Sequence, residues 1–320
     1  MRFLGILPHS IGGRLTINSL FDGIVQNGHV IDIFDVLKDE KTYLLELYNA
    51  NKYDFLVGYD FSALRFKALD NINIPAINYF SDVMQNEHSG KDWQCYYHLL
   101  KDDDNYTFYW DEELYNDKKN EIKNLFYQPH FVNTQIYKNH GIEPVYDISF
   151  AGRLDTDFRL HNVLNLMKEF KDKQFAWYAI ERHFEDAKNR AENLEDKALL
   201  EKNYRGFIAT ENQMADELNK TRIVFNFNCQ GRSSLNYRTF QVMACEKLLI
   251  SDDRAEAHTL FKENESIIIH RSFDDLIEKI RHYLENYDEY TRIVQNSRKI
   301  VEANHSSKTA INNMLGKLAV

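Results

Sequence analysis

The chain has 320 residues, which is enough for two domains of ordinary size. Hydrophobic residues make up 43% and charged residues 28% of the sequence, a balance typical of globular rather than disordered proteins. The formal net charge of −10 argues against a nucleic-acid partner, because phosphate binding requires a basic face.

The three cysteines show no CxxC spacing, which argues against a structural zinc site and fits a reducing compartment. The apolar run before Pro8 is too short for a signal peptide, and no window approaches the roughly eighteen apolar residues of a membrane span. We therefore predict a cytoplasmic protein that could also lie peripherally at the inner face of the membrane. Lys118, Lys119 and Lys123 could make that peripheral contact, although a solvated helix face explains such a cluster more often.

Short apolar runs alternate with helical patterns in the first half of the chain. Residues 3–7 predict a buried strand that ends at Pro8, and Gly12 and Gly13 predict a glycine loop before a helix. Further strands are predicted at residues 30–34, 55–58 and 76–80, with a helix around 43–48. Short strands that alternate with helices indicate parallel βαβ units.

The same alternation restarts in the second half of the chain. The predicted strands cover residues 147–152, 175–180, 222–227, 248–250 and 267–269. The predicted helices cover residues 160–170, 184–203, 238–245, 276–284 and 290–301, and the second of these reads as one long polar helix. A turn-rich stretch at residues 141–144 separates the two series, and we place the domain boundary there.

The expected fold class is α/β, with two Rossmann-like domains facing across a cleft. An N-terminal domain would span residues 1–142 and a C-terminal domain residues 143–302, and a final helix over 303–320 would return to the N-terminal domain. Ligands of such sheets bind at the carboxyl ends of the strands. Residues that directly follow a strand are therefore the candidates for function.

Three stretches of the second half resemble a known family. They are Asp147-Ile-Ser-Phe-Ala-Gly-Arg153, then Tyr204-Arg-Gly206 with Ile223-Val-Phe-Asn-Phe-Asn228, and Asn236-Tyr-Arg-Thr-Phe-Gln-Val-Met-Ala-Cys245 followed by Lys247-Leu-Leu-Ile-Ser251. The His305-Ser306 segment is similar to the C-terminal segment of the same family, where a last helix crosses back to the first domain. On these motifs, residues 146–313 resemble the GT-B glycosyltransferases, specifically the family 1/4-like branch typified by the spore maturation protein CgeB.

The resemblance implies a glycosyltransferase that moves a sugar from a nucleotide-sugar to an acceptor hydroxyl. The acceptor would lie on the N-terminal side and the nucleotide-sugar on the C-terminal side. A UDP- or GDP-sugar would be the substrate, no cofactor is expected, and such enzymes commonly work without a metal ion. The acceptor would be a glycan, a lipid-linked molecule or a protein, by family habit a bacterial surface glycan or glycoprotein.

The third stretch is suited to a diphosphate and a ribose. Arg238 lies near the start of a predicted helix, where free backbone N–H groups and the positive dipole end favour an anion. Asn236 and Thr239 could add neutral hydrogen bonds, and relatives place a ribose-binding glutamate where Gln241 stands. The alternative for Arg238 is a surface arginine that pairs locally.

Two further arginines follow predicted strands and could support the same diphosphate. Arg232 lies in a Gly-Arg-Ser-Ser loop, and Arg153 follows the glycine turn after a strand. In similar enzymes the position of Arg153 helps to neutralise the leaving diphosphate. The alternatives are an exposed Arg232 in a mobile loop and an ion pair of Arg153 with Asp155 or Asp157.

The sequence departs from the family pattern at three positions. Gln241 and Ser233 stand where retaining relatives carry a glutamate pair, and Glu246 replaces a glycine of the motif. A glutamine can still bond a hydroxyl but supplies no charged acceptor. The departures leave open the identity of the donor and the choice between retention and inversion, with retention favoured slightly by analogy.

In the first half, Gly12 and Gly13 could let backbone N–H groups approach the donor diphosphate or the acceptor, although a tight turn is the default. The segment does not fit GxGxxG, which disfavours nicotinamide binding. Asp82 and His88 follow a predicted strand in a loop that faces the sugar in related transferases, and His9 is a second candidate for an acid–base role. A histidine in a polar loop is more often only solvated.

Other functions remain as alternatives to a transferase. The missing glutamate at Gln241 motivates a non-catalytic nucleotide-sugar-binding partner. A sugar-nucleotide epimerase on the same fold is the second alternative. A redox enzyme is the third, and it lacks its glycine fingerprint.

Overall fold

The computed structural model describes residues 1–81, 94–228 and 231–318 and divides into two compact units. Unit 1 comprises Met1–Thr134, Cys229–Tyr237 and Glu302–Val320. Unit 2 comprises Gln135–Asn228 and Arg238–Val301. Each unit is a parallel sheet that alternates with helices, so the predicted α/β class is confirmed.

Unit 1 is built on six strands and the helices between them. The strands are β1 (Arg2–Leu7), β2 (Val30–Asp35), β3 (Phe55–Tyr59), β4 (Ala76–Phe80), β5 (Asn105–Tyr109) and β6 (Leu125–Tyr127). The helices are α1 (Ile11–Gln26), α2 (Lys41–Ala50), α3 (Ser62–Asp70), a 3-10 helix over Gln94–Lys101, and α4 (Glu112–Lys118). The strands pair in the order β2-β1-β3-β4-β5-β6, and every pair is parallel. The order reverses between β1 and β3, which makes that point the topological switch point of the sheet.

Unit 2 repeats this plan with five strands. They are β7 (Tyr146–Ala151), β8 (Phe175–Tyr178), β9 (Thr221–Asn226), β10 (Leu248–Asp252) and β11 (Ile268–His270). The intervening helices are α5 (Asp157–Glu169), α6 (Glu181–Arg190), α7 (Leu194–Asn203), α8 (Glu211–Asn219), α9 (Tyr237–Ala244), α10 (Ala255–Leu260), α11 (Phe273–Glu285) and α12 (Tyr287–Asn304). The order β11-β10-β9-β7-β8 puts the switch point of this sheet between β7 and β9.

A last helix, α13 (Ser307–Leu315), packs against α1 within unit 1. The contact is close because α1 presents Gly23 to it: a Cβ on that residue would lie 2.5 Å from the Ser307 carbonyl oxygen. Ile311 and Met314 bury their side chains in the core of unit 1. The close packing of α1 against α13 therefore requires a glycine at position 23.

Two sequence predictions of local structure were wrong. Gly12 and Gly13 form the first turn of α1 rather than a loop, because Ser10 caps the helix and its hydroxyl accepts the Gly13 N–H at 3.1 Å. Residues 184–203 form parts of two helices, α6 and α7, rather than one. The break falls at residues 191–193, where Asn193 adopts an extended backbone and caps α7 through the Asp196 N–H at 2.9 Å.

Within the described ranges, no helix combines the length and the apolar character that a membrane crossing needs.

Candidate functional site

Predicted site residues meet at the carboxyl edge of the unit 2 sheet, at its switch point. Arg153 follows β7 after the Gly152 turn, and its side chain is 49% exposed. Its Nε lies 3.2 Å from Asp155 Oδ2, so the ion pair foreseen as the alternative is present. Because half of the side chain remains exposed, Arg153 is also accessible to an anion at this edge.

Arg159 is a cation of the same edge that the sequence analysis missed. It lies in the first turn of α5, and its side chain is only 12% exposed. Its Nη2 donates to the Phe227 carbonyl at 2.9 Å and its Nη1 to the Arg153 carbonyl at 3.4 Å. Arg159 therefore ties together the two loops that follow β7 and β9. Its place in the first turn of a helix after a strand was the available signal.

Helix α9 begins beside the end of β9. The Thr239 hydroxyl is fully buried and accepts a hydrogen bond from Asn226 Nδ2 at 3.4 Å. Arg238 is half-buried, and its Nη1 donates to Gln241 Oε1 at 2.5 Å. Gln241 is 1% exposed, and its Nε2 donates to the Tyr137 hydroxyl at 2.5 Å. The structure thus brings Arg238 to the edge but turns Thr239 and Gln241 toward the interior of unit 2, and their predicted ligand contacts stay predictions.

A second group that the sequence analysis missed continues the edge at β10. Asn228 Nδ2 donates to Asp252 Oδ1 at 2.5 Å, and Arg254 Nε lies 3.1 Å from Asp252 Oδ2. The Arg254 guanidinium also donates to the Asn228 carbonyl. The signal was the Ser-Asp-Asp-Arg run at residues 251–254, directly after the predicted strand at 248–250.

Several guanidinium groups lie along this edge, although the chain as a whole is acidic. They belong to Arg153, Arg159, Arg238 and Arg254. Asp155 pairs with Arg153 and Arg159, and Asp252 pairs with Arg254. His183, in the first turn of α6, adds a titratable ring. Burial lowers the pKa of His183, and the charges of Arg153 and Arg182 lower it further, so the ring is neutral near pH 7.

The switch point of unit 1 holds the predicted residues of the first half. His9 is exposed in the bend between β1 and α1. Apart from its chain neighbours and the nearby backbone of α1, no heavy atom of the described chain lies within 4 Å of the place where a Cβ on Gly12 would stand. A Cβ on Gly13 would lie 2.5 Å from Ser10 Oγ. Packing therefore requires glycine at Gly13 but not at Gly12, where a Cβ would meet open space.

Asp60, at the end of β3, is another residue that the sequence analysis missed. It is a non-glycine residue with a φ of 50°, and its Oδ1 accepts the Ser81 N–H at 3.2 Å. The hydroxyls of Tyr59 and Ser81 are also hydrogen-bonded to each other. These contacts join the ends of β3 and β4. Of the predicted acid–base residues, Asp82 and His88 lie outside the described residues.

The loop with Arg232 is counted in unit 1, and an internal carboxylate holds it there. Asp111, fully buried at the start of α4, accepts the N–H groups of Arg232, Ser233 and Ser234 at 2.8, 3.1 and 3.3 Å. The Arg232 guanidinium lies 2.7 Å from Asp117 Oδ2. Arg232 thus pairs with an acid in this structure, and a role in phosphate binding stays a prediction. Asn236, half-buried, is counted in the same unit.

The predicted basic cluster has local partners. Lys118 pairs with Glu121 at 3.1 Å and Lys123 with Asp103 at 2.8 Å. Lys119 donates to Asn116 at 2.8 Å. Because nearby side chains already engage all three lysines, the contact with a membrane stays a prediction.

Neither a metal cluster nor a reactive thiol stands out in the described ranges. Among these residues, no three histidine, cysteine or acidic side chains are grouped so that they could hold a metal ion. Cys245 is buried in α9's C-terminal turn region, and burial raises the pKa of its thiol to about 12. The thiol is therefore protonated and unreactive at neutral pH.

Comparison with known proteins agrees with this architecture. The sequence profile of the Glycosyl transferase-like family matches residues 165–316. No match was found among curated proteins.

Solved structures of similar fold are GT-B glycosyltransferases. A sucrose-phosphate synthase from Thermosynechococcus elongatus has a TM-score of 0.70 at 10% identity, covering 99% of this chain and 98% of that one. Anabaena Alr3699/HepE, in complex with UDP and glucose, has a TM-score of 0.70 at 11% identity over 100% and 99% of the chains. An α-glucosyltransferase in complex with UDP and a 13-mer DNA containing a central A:G mismatch has a TM-score of 0.72 at 15% identity over 99% of each.

The predicted resemblance to GT-B glycosyltransferases is confirmed, whereas the CgeB-like branch stays a prediction. The chain has the GT-B fold, and residues 165–316 carry the sequence pattern of the Glycosyl transferase-like family.

Proposed function

We propose that the protein transfers a sugar from a nucleotide-sugar to an acceptor hydroxyl and that the donor diphosphate binds at the carboxyl edge of unit 2. The observation that carries this proposal is the convergence of Arg153, Arg159 and Arg238 on one edge of one sheet. The switch point of a doubly wound sheet is the usual place for a ligand. Each charge-assisted hydrogen bond to a phosphate oxygen contributes about 1.5–3 kcal/mol, so three of them contribute about 4.5–9 kcal/mol, which corresponds to a Kd between the millimolar and the micromolar range.

The same guanidinium groups would act in the chemical step. Cleavage of the bond between sugar and diphosphate leaves negative charge on the departing phosphate. Fixed donors at that oxygen stabilise the transition state more than the ground state. We propose that Arg153 and Arg238 supply this stabilisation and that no cofactor takes part.

The donor is proposed to be a UDP-sugar or, failing that, a GDP-sugar. UDP is bound in the similar structures of Anabaena Alr3699/HepE and of the α-glucosyltransferase, which makes it the first probe to use.

Unit 1 is proposed to hold the acceptor, with the open backbone at Gly12 facing one of the two substrates. His9, Asp82 and His88 are the proposed acid–base residues for the acceptor hydroxyl. Glycan, lipid-linked and protein acceptors fit this proposal. A DNA acceptor does not, because a chain with a net charge of −10 repels a polyanion.

The test is release of nucleotide from a panel of UDP- and GDP-sugars, with and without acceptor extracts. A transferase releases nucleotide and does so faster with its acceptor. Arg238→Ala should slow release at least about ten-fold, the effect of losing one charged hydrogen bond. Arg222→Ala is the matched control, because Arg222 lies near the start of β9, at the opposite edge of the same sheet.

Other outcomes would favour the alternatives. Binding without release in any extract would indicate a non-catalytic partner, and interconversion of donors without acceptor would indicate an epimerase. Equal activity of Arg238→Ala and the wild type would contradict the proposed site.

A further inference from the structure

Phe158 is an exposed aromatic residue at the carboxyl edge of unit 2, in the first turn of α5. The residue is 60% exposed. Single exposed apolar side chains are common in globular proteins, so exposure alone does not indicate a site. Two features of its surroundings do: the ring has a rigid support, and it lies beside the proposed diphosphate site.

The support is the buried ring of Phe227, which directly follows β9. The rings of Phe158 and Phe227 meet edge to face, with centroids 5.4 Å apart and planes at 72°. Phe227 is 3% exposed and packs in turn against Phe225 and Phe150 in the core of unit 2, with centroid distances of 5.5 and 6.2 Å. The Phe158 carbonyl accepts from Asn162 Nδ2 at 2.8 Å. A ring held in this way loses little conformational freedom when a ligand covers it.

The Phe158 ring lies beside two of the arginines proposed to bind the diphosphate. Arg159, the next residue, donates from Nη2 to the Phe227 carbonyl at 2.9 Å and from Nη1 to the Arg153 carbonyl at 3.4 Å. Phe158 and Arg159 therefore both contact Phe227, one through its ring and the other through its carbonyl group. Asp155 pairs with both arginines in the same loop. A ligand with phosphates against Arg153 and Arg159 brings the groups bonded to those phosphates toward the Phe158 ring.

The groups bonded to the diphosphate of a nucleotide-sugar are both sugars, the ribose on one side and the transferred sugar on the other. A sugar ring carries most of its hydroxyls around the rim, while C–H groups line its faces. The face of an aromatic ring is electron-rich and attracts such C–H groups, and the contact also buries apolar surface. An exposed phenyl ring is therefore suited to one face of a sugar.

We infer that Phe158 packs against the transferred sugar of the donor and contributes to its selection. This inference rests on the proposed function, in which Arg153 stabilises the phosphate that leaves the sugar. The transferred sugar is bonded to that phosphate, whereas the ribose is bonded to the other one. Phe158 thus supplies affinity for the sugar, and the arginines supply affinity for the diphosphate.

Calorimetry of the wild type and Phe158→Ala separates contact with the transferred sugar from contact with the ribose. The probes are UDP, UDP-glucose and UDP-N-acetylglucosamine, with GDP and GDP-mannose in parallel. For the sugar nucleotide that the wild type binds most tightly, we expect the Kd to rise about five- to ten-fold in Phe158→Ala, while the Kd of the matching nucleoside diphosphate is unchanged. An equal rise in both Kd values would indicate contact with the ribose or general damage to unit 2 and would overturn the inference.

Phe158→Tyr is the matched control, because it keeps the aromatic ring and should bind the sugar nucleotide within about two-fold of the wild type. A loss in Phe158→Tyr as large as that in Phe158→Ala would show that the ring is not the feature that binds the sugar, which would also overturn the inference. If the wild type binds neither UDP nor GDP, the proposed function fails and takes this inference with it. A wild type that binds nucleotide, and binds sugar nucleotides no more tightly than Phe158→Ala does, removes the inference alone.

Discussion

At the residue scale, two buried threonines differ in whether their hydroxyl has a partner. Thr107 on β5 and Thr221 on β9 are both fully buried. The Thr221 hydroxyl donates to the Glu217 carbonyl at 3.2 Å. In the described part of the chain, the Thr107 hydroxyl meets no partner, and neither does the amide of Asn78, its register neighbour on β4. A buried polar atom without a partner destabilises the folded state.

We therefore predict opposite effects of one substitution at the two sites. Thr107→Val removes an unsatisfied hydroxyl and should raise the free energy of unfolding by up to about 1 kcal/mol, whereas Thr221→Val breaks a hydrogen bond and should lower it by about 1 kcal/mol. Urea denaturation of both variants measures the difference. A clear loss of stability in Thr107→Val would mean that a buried water bridges Thr107 and Asn78.

Some residues of the candidate site could be predicted from the sequence, and others could not. Arg153 and Arg238 could be predicted because each follows a strand or opens a helix, which are local signals. Arg159 carries the same local signal, because it lies in the first turn of α5, but its contact with the Phe227 carbonyl, 68 positions along the chain, could not be predicted from a local pattern. Gln241 was predicted as a ligand residue from its place in the motif, whereas its burial depends on Tyr137, which no local pattern connects to it.

At the element scale, two glycines of α1 form a natural comparison. A Cβ at Gly23 would lie 2.5 Å from the Ser307 carbonyl oxygen and from Ile311 Cγ1. A Cβ at Gly12 would meet open space, as far as the described residues are concerned. Gly23→Ala should lower the free energy of unfolding by about 1–3 kcal/mol through overpacking. Gly12→Ala should raise it by up to about 1 kcal/mol, since alanine is the better helix former.

Thermal unfolding of the two variants tests the packing of α1 against α13. If Gly23→Ala and Gly12→Ala changed the free energy of unfolding in the same direction, the packing described for α1 and α13 would be contradicted. If Gly12→Ala gains stability but releases nucleotide more slowly, the glycine serves ligand approach rather than folding.

Two buried histidines of unit 1, His130 and His305, make the stability of the protein depend on pH. His305 lies in the segment before α13, and its carbonyl accepts the Val132 N–H at 3.0 Å. Burial lowers the pKa of His305 to about 4 and that of His130 to about 3. Both rings are neutral in the folded protein, whereas in the unfolded chain they take up protons below about pH 6.5. Protons therefore favour unfolding in that range.

We expect the free energy of unfolding to fall as the pH drops from about 6.5 toward 4, by up to about 1.4 kcal/mol per pH unit for each histidine. His130→Gln and His305→Gln should each flatten this slope, although either can lower stability at neutral pH. Denaturant titrations between pH 7 and 4 give the slopes. A double variant with the wild-type slope would show that other groups cause the acid sensitivity.

Element boundaries show why local patterns were only partly sufficient. The strands at 76–80 and 248–250 were predicted because apolar runs bounded by turns are distinctive. The long helix at 184–203 was not divided correctly, because the break depends on a cap at Asn193 within an otherwise helical composition. The helix start at Ser10 was missed because glycines suggested a loop.

At the scale of the whole molecule, the alternation of strands and helices predicted two α/β domains. A single boundary near residue 143 cannot describe how the chain is shared between the units, because Cys229–Tyr237 is counted with unit 1. The physical reason is the binding of three backbone N–H groups by Asp111. Gly231, with a φ of 71°, makes that approach possible, since a Cβ there would lie 2.5 Å from the Asp111 carboxylate. No pattern in the sequence reveals such a contact.

Ligand binding should stabilise the whole chain in a way that depends on Arg238. At about 100 times its Kd, a nucleotide adds about 2.7 kcal/mol to the free energy of unfolding. A thermal-shift screen with UDP, GDP, CMP and TDP should therefore show a clear rise with the correct base. Arg238→Ala should abolish the rise, and its melting temperature without ligand should also fall, because the buried Gln241 oxygen loses a donor. A variant that still responds to nucleotide would contradict the role of Arg238.

The most direct test of the central claim is a crystal structure of the protein with UDP bound. We predict that the diphosphate lies at the carboxyl ends of β7 and β9, with phosphate oxygens within about 3.2 Å of the guanidinium groups of Arg153, Arg159 or Arg238. A diphosphate bound away from these three arginines would contradict the proposed site and the chemistry derived from it.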